Sequence, residues 1–468
     1  MPFDYDTYLS PFTWRYGSPE MRQLWCEAHK RRLWRELWCT LAEVQAEFGL
    51  VQPEQAADLR LHAAEVDLER SLALEAEIHH DLMAELKVFA SQSPQGGGIL
   101  HLGATSADIE DNADVLRMRQ ALDLVLAQLA SLLDVFAGLI ERHADDVLMA
   151  HTHLQPAEPT TLGYRLALYA QDLLLDRQAL LSLRQSLRGK GFRGAVGTGA
   201  SYAELLGGAG RLAEFDQRLS ERLGLPFFPV TTQVYPRKQD YQALSALAGL
   251  GGSLYKFAFD LRLLQSPALG ELSEPFGKGQ VGSSAMPFKR NPINAEKIDS
   301  LARALAQMPR LAWDNAAHSL LERTLDDSAN RRSLLPEAFL ITDELLRTAR
   351  RVLTGLQVNE AAMQQNLARY GPFAGIERLL IGLVKAGADR QTMHEKLRQH
   401  SLAAWQALQA GQPNTLIDSL AEDEEICQYL SQGQVRDLLD ARQHVGDAPQ
   451  RARALAAMIS GGTDSSPG

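Results

Sequence analysis

Between residues 111 and 156 the chain has no proline, and Leu122, Val125, Leu129, Leu132, Phe136 and Leu139 recur every three or four positions. That spacing puts one apolar stripe along an α-helix, so a long amphipathic helix is predicted. Residues 159–226 are again proline-free inside their limits, with Leu166, Tyr169, Leu173, Leu180 and Leu183 on a similar stripe. A third such stretch, 236–267, carries Leu244, Leu247, Leu254 and Leu261. Two more helical patterns lie around 292–320 and 328–356, and alternating strand-like runs are scarce. Five long helices imply an all-α bundle.

Stripes this wide leave apolar surface on a lone bundle, and helices of neighbouring copies would complete the burial, so a homo-oligomer is expected. Before about residue 106 the patterns are shorter, among them "WRELWCTLAEVQAEFG", and "SQSPQGGG" at 91–98 reads as a loop. Past about residue 359 a second short-helix region follows, and the tail "SGGTDSSPG" is expected to be disordered. No tandem repeat of fixed period is present.

Length and composition narrow the class. At 468 residues the chain exceeds one core and calls for more than one domain. Its 45% hydrophobic and 22% charged content is that of an ordinary globular protein. A net charge of -11 argues against broad nucleic-acid binding, while leaving room for a local basic pocket that takes one small anion. Cys26, Cys39 and Cys427 form neither a disulfide framework nor a zinc ribbon, which points to a reducing compartment. The start "MPFDYDTYLS" lacks a basic region followed by an apolar run, and no uninterrupted apolar segment of about 18–20 residues occurs, so a cytoplasmic protein without membrane contact is expected.

The densest candidate chemistry is "GSSAMPFKRNPINAE" at 282–296, a loop by its glycine, serines and two prolines. Ser283 and Ser284 read either as turn residues or, beside Lys289, as a base exposed when a mobile loop closes. No G-x-S-x-G elbow surrounds them, which weighs against a hydrolase triad. "AHTHLQPAEPTT" at 150–161 puts His151 and His153 in a loop between two long helices. Each is a hydrogen-bonded loop residue or a general acid; a metal site lacks the further Cys/His ligands it needs.

In "HLGATSADIEDN" at 101–112, Thr105 and Ser106 either cap a helix or donate to a substrate carboxylate at its N-terminus. "LERTLDDSANRR" at 321–332 combines Arg323, Ser328, Arg331 and Arg332, as a face of internal ion pairs or as an anion clamp. Glycine-rich "GAVGTGAS" at 194–201 sits between helical flanks without a βαβ unit, so a nucleotide loop is rejected, and "HHD" at 79–81 is uninformative alone.

Taken together, these segments resemble the fumarase/aspartase superfamily. Its signature is carried by Gly282 through Glu296, and "TSADIEDN" and "THLQPAEPTT" resemble its two other shared segments in the expected order. "WRYGSPEM" at 14–21, "TTQVYPRKQD" at 231–240 and "ERTLDDSANRR" at 322–332 are similar to the adenylosuccinate lyase family within it, particularly the animal-type form. The resemblance runs from about Trp14 to about Ser401.

It implies three helical domains, at 1–105, 106–358 and 359–468, with the central long-helix bundle completed in a homotetramer. It also implies a β-elimination that releases fumarate from adenylosuccinate and from SAICAR, without a cofactor or metal, at sites each built from three subunits. Carried over residue by residue, Ser283 is the carbon base, His153 the acid for the leaving nitrogen, and Glu296 the partner of its ring. Lys289 and Asn291, with Thr105 and Ser106, would hold the succinyl carboxylates. Gln233 would position the succinyl or purine portion, and His80 and Asp81 would line the pocket. Arg15, Tyr16, Arg323, Ser328 and Arg332 would hold the phosphate.

His79 stands where the family pattern has an arginine, and Gly199 where it has a glutamine, which opens the choice of succinylated substrate. The competing expectations are another fumarate-releasing C–N lyase, such as an argininosuccinate-type enzyme, and a catalytically silent relative.

Overall fold

The computed structural model describes residues 6–461; of the tail predicted to be disordered, Ser460 instead ends a helix capped by Gly461, and residues 462–468 lie outside the described residues. The chain forms two compact units. One comprises the chain up to Leu129, Asp176–Gly252 and Ser300–Arg347; the other comprises Ala130–Leu175, Ser253–Asp299 and the chain from Thr348. The long predicted helices are present as Ser106–Arg142, Leu162–Ser186, Lys238–Gln265 and Ser328–Thr354. The stretch around 292–320 is not one helix but two, Ile293–Leu305 and Met308–Ala317. Pro309 sits in the first turn of the second, where its missing N–H costs no helical hydrogen bond.

In the first unit the longest N-terminal helix is Glu27–Glu47, 21 residues and thus longer than the sequence pattern suggested. Cys26 caps its start by accepting from the His29 amide, and Gly49 (φ 74°) follows its end in the left-handed conformation that closes many helices. Trp34, Leu37, Trp38 and Val44 on this helix are buried with Phe89, Ile109, Phe192, Tyr202 and Phe215. Phe215 also meets Phe48 edge-on at 5.3 Å between centroids.

In the second unit Phe136, Phe257 and Tyr169 form a chain of edge-on rings at 5.7 and 5.5 Å. A separate cluster of Leu379, Leu383, Leu397, Leu420, Ile426 and Leu439 holds the C-terminal helices together. Strands are few: Leu272–Ser273 pairs with Gln357–Val358, and Val147–Thr152 pairs antiparallel with Gln155–Thr161.

That second pairing corrects the expectation of a loop at 150–161. The Ser106–Arg142 helix stops before the hairpin, and Pro156 and Pro159 on the returning strand disguised it, because proline is excluded from most strand interiors. By length and mean hydropathy (1.8 over 18 residues) the Ser106–Arg142 helix is the one described helix able to cross a membrane. Asp123 and Asp134 interrupt it, and Leu122, Val125, Leu129 and Phe136 are fully buried within the fold.

Candidate active site

The segment 105–114 shows how a helix start becomes one wall of a site. Asp108 accepts from the Thr105 amide at 2.9 Å, so the cap comes from this carboxylate and not from the hydroxyls of Thr105 or Ser106. Among the described residues neither hydroxyl has a hydrogen-bond partner, and both remain available to a ligand at the N-terminus of a 37-residue helix. Asp108 is itself fully buried and ion-paired with Lys190. It also accepts from the amides of Arg193 and Gly194, so the start of the glycine-rich stretch serves this carboxylate. At Gly197 an added Cβ would lie 2.0 Å from the Thr231 carbonyl oxygen, which leaves room only for glycine.

One turn on, Ala107, Glu110, Asp111 and Asp114 repeat at helical spacing and face a cavity in the same unit. Trp25, Lys30, Asp81, Arg323, Ser328 and Arg332 contribute other parts of its lining. The cavity therefore gathers four of the predicted residues, Asp81, Arg323, Ser328 and Arg332, from two distant stretches of sequence.

Its arginines are held by carboxylates. Arg237 donates from Nη1 and Nη2 to Asp111 (both 3.1 Å) and from Nε to Asp327 (2.6 Å). Arg331 donates to Asp240 at 2.8 Å and to the Tyr235 hydroxyl at 2.7 Å, and lies 3.2 Å from Asp114. Both guanidiniums are buried, so for Arg331 the ion-pair reading of "SANRR" is the correct one. Arg323 meets Asp327 at 2.7 Å, and Arg332 meets Asp81 at 3.0 Å. Each of these last two spends one donor of five on its carboxylate and keeps the rest for a ligand. Pro336, inside the same helix, has no N–H to give the Arg332 carbonyl, which frees that oxygen beside the cavity.

Two carboxyls here are shifted in opposite directions. Burial favours the protonated form of Asp81, but the charge of Arg332, the Leu82 amide, and Lys30 and Arg31 outweigh it and hold the carboxyl below its usual range. Glu110 is pushed up to about 7, first by burial and then by the charges of Asp81, Asp111 and Asp114.

The other predicted residues of this unit do not line the cavity. Arg15 is exposed, its guanidinium 5.7 Å from the Trp14 ring and 5.9 Å from the Tyr16 ring. The chain that follows is tied down where the Gly17 amide donates to Glu344 (3.1 Å) and Ser18 donates to Asp343. His80 caps the Asp81–Gln92 helix through Nδ1 (3.4 Å), with half its side chain exposed. The Gln233 amide donates to the Glu322 carbonyl at 3.2 Å, and its side chain has no partner among the described residues.

In the second unit His153 occupies the tip of the hairpin. Thr152 pairs with Gln155, which leaves a two-residue turn of His153 (φ 52°) and Leu154 (φ 59°). Two consecutive positive φ values are the mark of a type I′ turn, normally filled by Asn-Gly. Non-glycine residues there carry strain of about 1–2 kcal/mol each, and the turn lifts the His153 ring onto the surface. A cavity beside it is lined by His151, Arg165, Tyr169, Lys256, Asp260 and Trp405 among others. Burial and the charge of Arg165 lower the pKa of His151, with Glu271 opposing them.

The signature loop belongs to the same unit. The Ser283 hydroxyl oxygen accepts from the amides of Met286 (3.1 Å) and Ala285 (3.4 Å), and Asn291 Nδ2 donates to the Gly282 carbonyl at 3.3 Å. A Cβ on Gly282 would lie 2.1 Å from the Lys289 carbonyl oxygen, so only glycine lets the two arms of the loop approach. Glu274 accepts from the amides of Asn294 and Ala295 and so caps the Ile293–Leu305 helix that ends the loop. Lys289 and Glu296 are exposed, and within one chain no hydrogen bond joins Glu296 to His153.

Sequence reading missed Glu110, Asp111, Lys190 and Arg237. The first two were marked by the 107, 110, 111, 114 spacing, and Arg237 lay inside "TTQVYPRKQD". Lys190 had no local signal, because its partner Asp108 is 82 residues away.

Known proteins resemble this chain along most of its length. A family model described as lyase matches residues 30–306, and one described as adenylosuccinate lyase C-terminus matches residues 373–455. The chain is 40% identical to the adenylosuccinate lyase of Schistosoma mansoni, over 90% of this chain and 88% of that protein. With the adenylosuccinate lyase of Saccharomyces cerevisiae it shares 37% identity over 96% and 94% of the two chains. With that of Pyrococcus horikoshii it shares 36% over 92% and 93%. Among solved structures, a fumarate lyase from a Mesorhizobium species superposes with a TM-score of 0.82 at 25% identity, covering 97% of this chain and 100% of the other. The 3-carboxy-cis,cis-muconate lactonizing enzyme of Pseudomonas putida gives a TM-score of 0.85 at 27% identity over 96% and 99%. On this combination of fold, signature loop and full-length similarity, the chain belongs to the adenylosuccinate lyase family of the fumarase/aspartase superfamily.

Proposed function

We propose that this chain is a carbon–nitrogen lyase that eliminates fumarate from adenylosuccinate to leave AMP, and from SAICAR to leave AICAR, in purine biosynthesis. The chemical difficulty is the weak acidity of a C–H beside a carboxylate. Ser283, as alkoxide, takes that proton; the C–H electron pair moves into an aci-carboxylate, then forms the C=C bond of fumarate as the C–N bond breaks. His153 gives its proton to the departing nitrogen. Two amide donors already aimed at the Ser283 oxygen favour its charged form, which supports the base assignment. Lys289, Asn291, Thr105 and Ser106 would stabilise the carboxylates, and the reaction needs neither metal nor redox cofactor.

The reading extends to a cytoplasmic homotetramer with three helical domains per chain and sites shared between subunits. Leu168, Leu175 and Phe259 on the long helices are 50%, 67% and 52% exposed, surface that further copies would cover. Glu296 would then meet a His153 ring supplied by another copy, and Arg15, Tyr16, His80 and Gln233 would join the cavity as ligand binds.

The observation that carries the proposal is the convergence of Arg323, Ser328 and Arg332 on one concave surface. A phosphate requires such a set, and a succinylated amine without phosphate leaves it idle. The test is purified protein with adenylosuccinate, followed by ultraviolet absorbance, beside the same protein with argininosuccinate. Turnover of the first alone is expected; turnover of the second alone overturns the proposal.

A further inference from the structure

Glu110 differs from every other acid that lines the cavity. Glu27 pairs with Lys30 at 2.7 Å, Asp81 with Arg332, Asp111 with Arg237, and Asp114 with Arg117 and Arg331. Glu110 has no ion pair and no hydrogen bond among the described residues, yet its side chain shares the cavity lining with Arg323, Ser328 and Arg332.

The charges around it come from every wall. Asp111, Asp114 and Arg117 lie on its own helix, Asp81 on the Asp81–Gln92 helix, and Glu27 and Lys30 on the Glu27–Glu47 helix. Arg237, Arg323, Arg331 and Arg332 face in from the remaining segments. Six basic side chains thus meet five acidic ones, and ten of the eleven are already committed to oppositely charged partners, Lys30 and Glu27 among them. Arg117 and Arg331 share Asp114, and Glu110 is left without a cation of its own. The protonation state of this one carboxyl therefore changes by one unit the local charge that an incoming anion meets.

We infer that Glu110 is a proton-linked recognition residue: neutral, it donates a hydrogen bond to an anionic oxygen of the nucleotide phosphate, and ionised, it repels that group. The inference rests on the proposed function, which puts a phosphate in this cavity. Its burial among like charges, which brings the titration to about 7, makes the switch operate near neutrality. Binding a phosphate further disfavours the ionised carboxyl, so at pH 7–8 ligand uptake is accompanied by proton uptake. Affinity is full below the titration of Glu110 and falls as pH rises through it. A phosphate monoester loses its own second proton near pH ~6, which strengthens an arginine contact as pH rises, so the two titrations act with opposite sign.

The test uses the full-length protein and its Glu110→Gln variant, with AMP and adenosine as probes in calorimetric titrations at pH 6.5 to 8.5. For the wild type, AMP affinity is expected to fall roughly tenfold across this range. Titration in buffers of different ionisation enthalpy should show proton uptake that the variant lacks. Adenosine affinity should stay level for both proteins, and in kinetics the lost pH dependence should belong to KM. Superimposable AMP profiles for wild type and variant, or an equal fall with adenosine, overturn the inference. If Glu110→Gln does not fold, the contrast between AMP and adenosine on the wild type decides alone. Wild type that shows the linkage but turns over no adenylosuccinate removes the proposed function and leaves the linkage; turnover with superimposable profiles removes only the linkage.

Discussion

Arg332 Nη2 lies 3.0 Å from Asp81 Oδ2, joining two residues 251 positions apart on the wall of one cavity. The Arg332 side chain is 58% exposed, so this pair contributes less than about 1 kcal/mol to folding. Its work is to fix a guanidinium in place. Because the Asp81 carboxyl is held below its usual range, the pair persists through neutral pH and is lost only as pH falls through that lowered value. Asp81→Asn is expected to raise KM for adenylosuccinate about tenfold, the loss of one charge-assisted positioning contact, with almost no change in melting temperature. Initial-rate kinetics beside a thermal melt check this; a large drop in Tm with unchanged KM would contradict it.

Arg237 is the reverse case. It is buried between Asp111 and Asp327, and its removal strands both carboxylates. Arg237→Ala is expected to destabilise the first unit by about 3–5 kcal/mol in urea unfolding, and Arg237→Lys to recover only part of it because one ammonium cannot reproduce the fork. A near-neutral alanine variant would show that the pair has little structural weight.

The signature loop depends on the absence of a side chain at residue 282. Gly282→Ala pushes a methyl against the Lys289 carbonyl and spoils the geometry that presents Ser283. A fall in kcat of at least about a hundredfold is expected from that misplacement, while Tm moves little because the loop is largely exposed. Wild-type kcat in this variant would mean that the observed loop shape has no part in catalysis.

The hairpin turn offers a matched pair. Leu154→Gly accepts the φ of 59° without strain and should keep the hairpin. Leu154→Pro requires a φ near −65° and should abolish turnover. Circular dichroism and rates for the two variants settle the comparison; an active proline variant would contradict the turn assignment.

Much of this was legible in sequence where a pattern is local and periodic. The stripe from Leu122 to Leu139 identified its helix because burial repeats at helical spacing, and the loop was evident from glycine, serine and proline over 282–292, although the last four residues of the expected loop, 293–296, begin the Ile293–Leu305 helix. The hairpin at 147–161 was hidden because Pro156 and Pro159 break the signal by which strands are recognised. Asp108–Lys190 and Asp111–Arg237 were invisible since they join residues 82 and 126 apart, and only folding brings them together. Glu110 was missed in the sequence; its lack of a partner is a property of the cavity and not of its neighbours in sequence.

The central claim is that Ser283 and His153 are the two proton-transfer groups of one cleft shared between copies of the chain. Ser283→Ala and His153→Ala, prepared separately, should each lose at least about a thousandfold in elimination rate. Dissociated and reassembled together, they should recover roughly a quarter of wild-type activity, because random assortment reunites an intact serine and an intact histidine in that share of sites. A mixed assembly, verified by native mass spectrometry, that stays as inactive as its parents would contradict the claim, as would near-normal turnover by either variant alone.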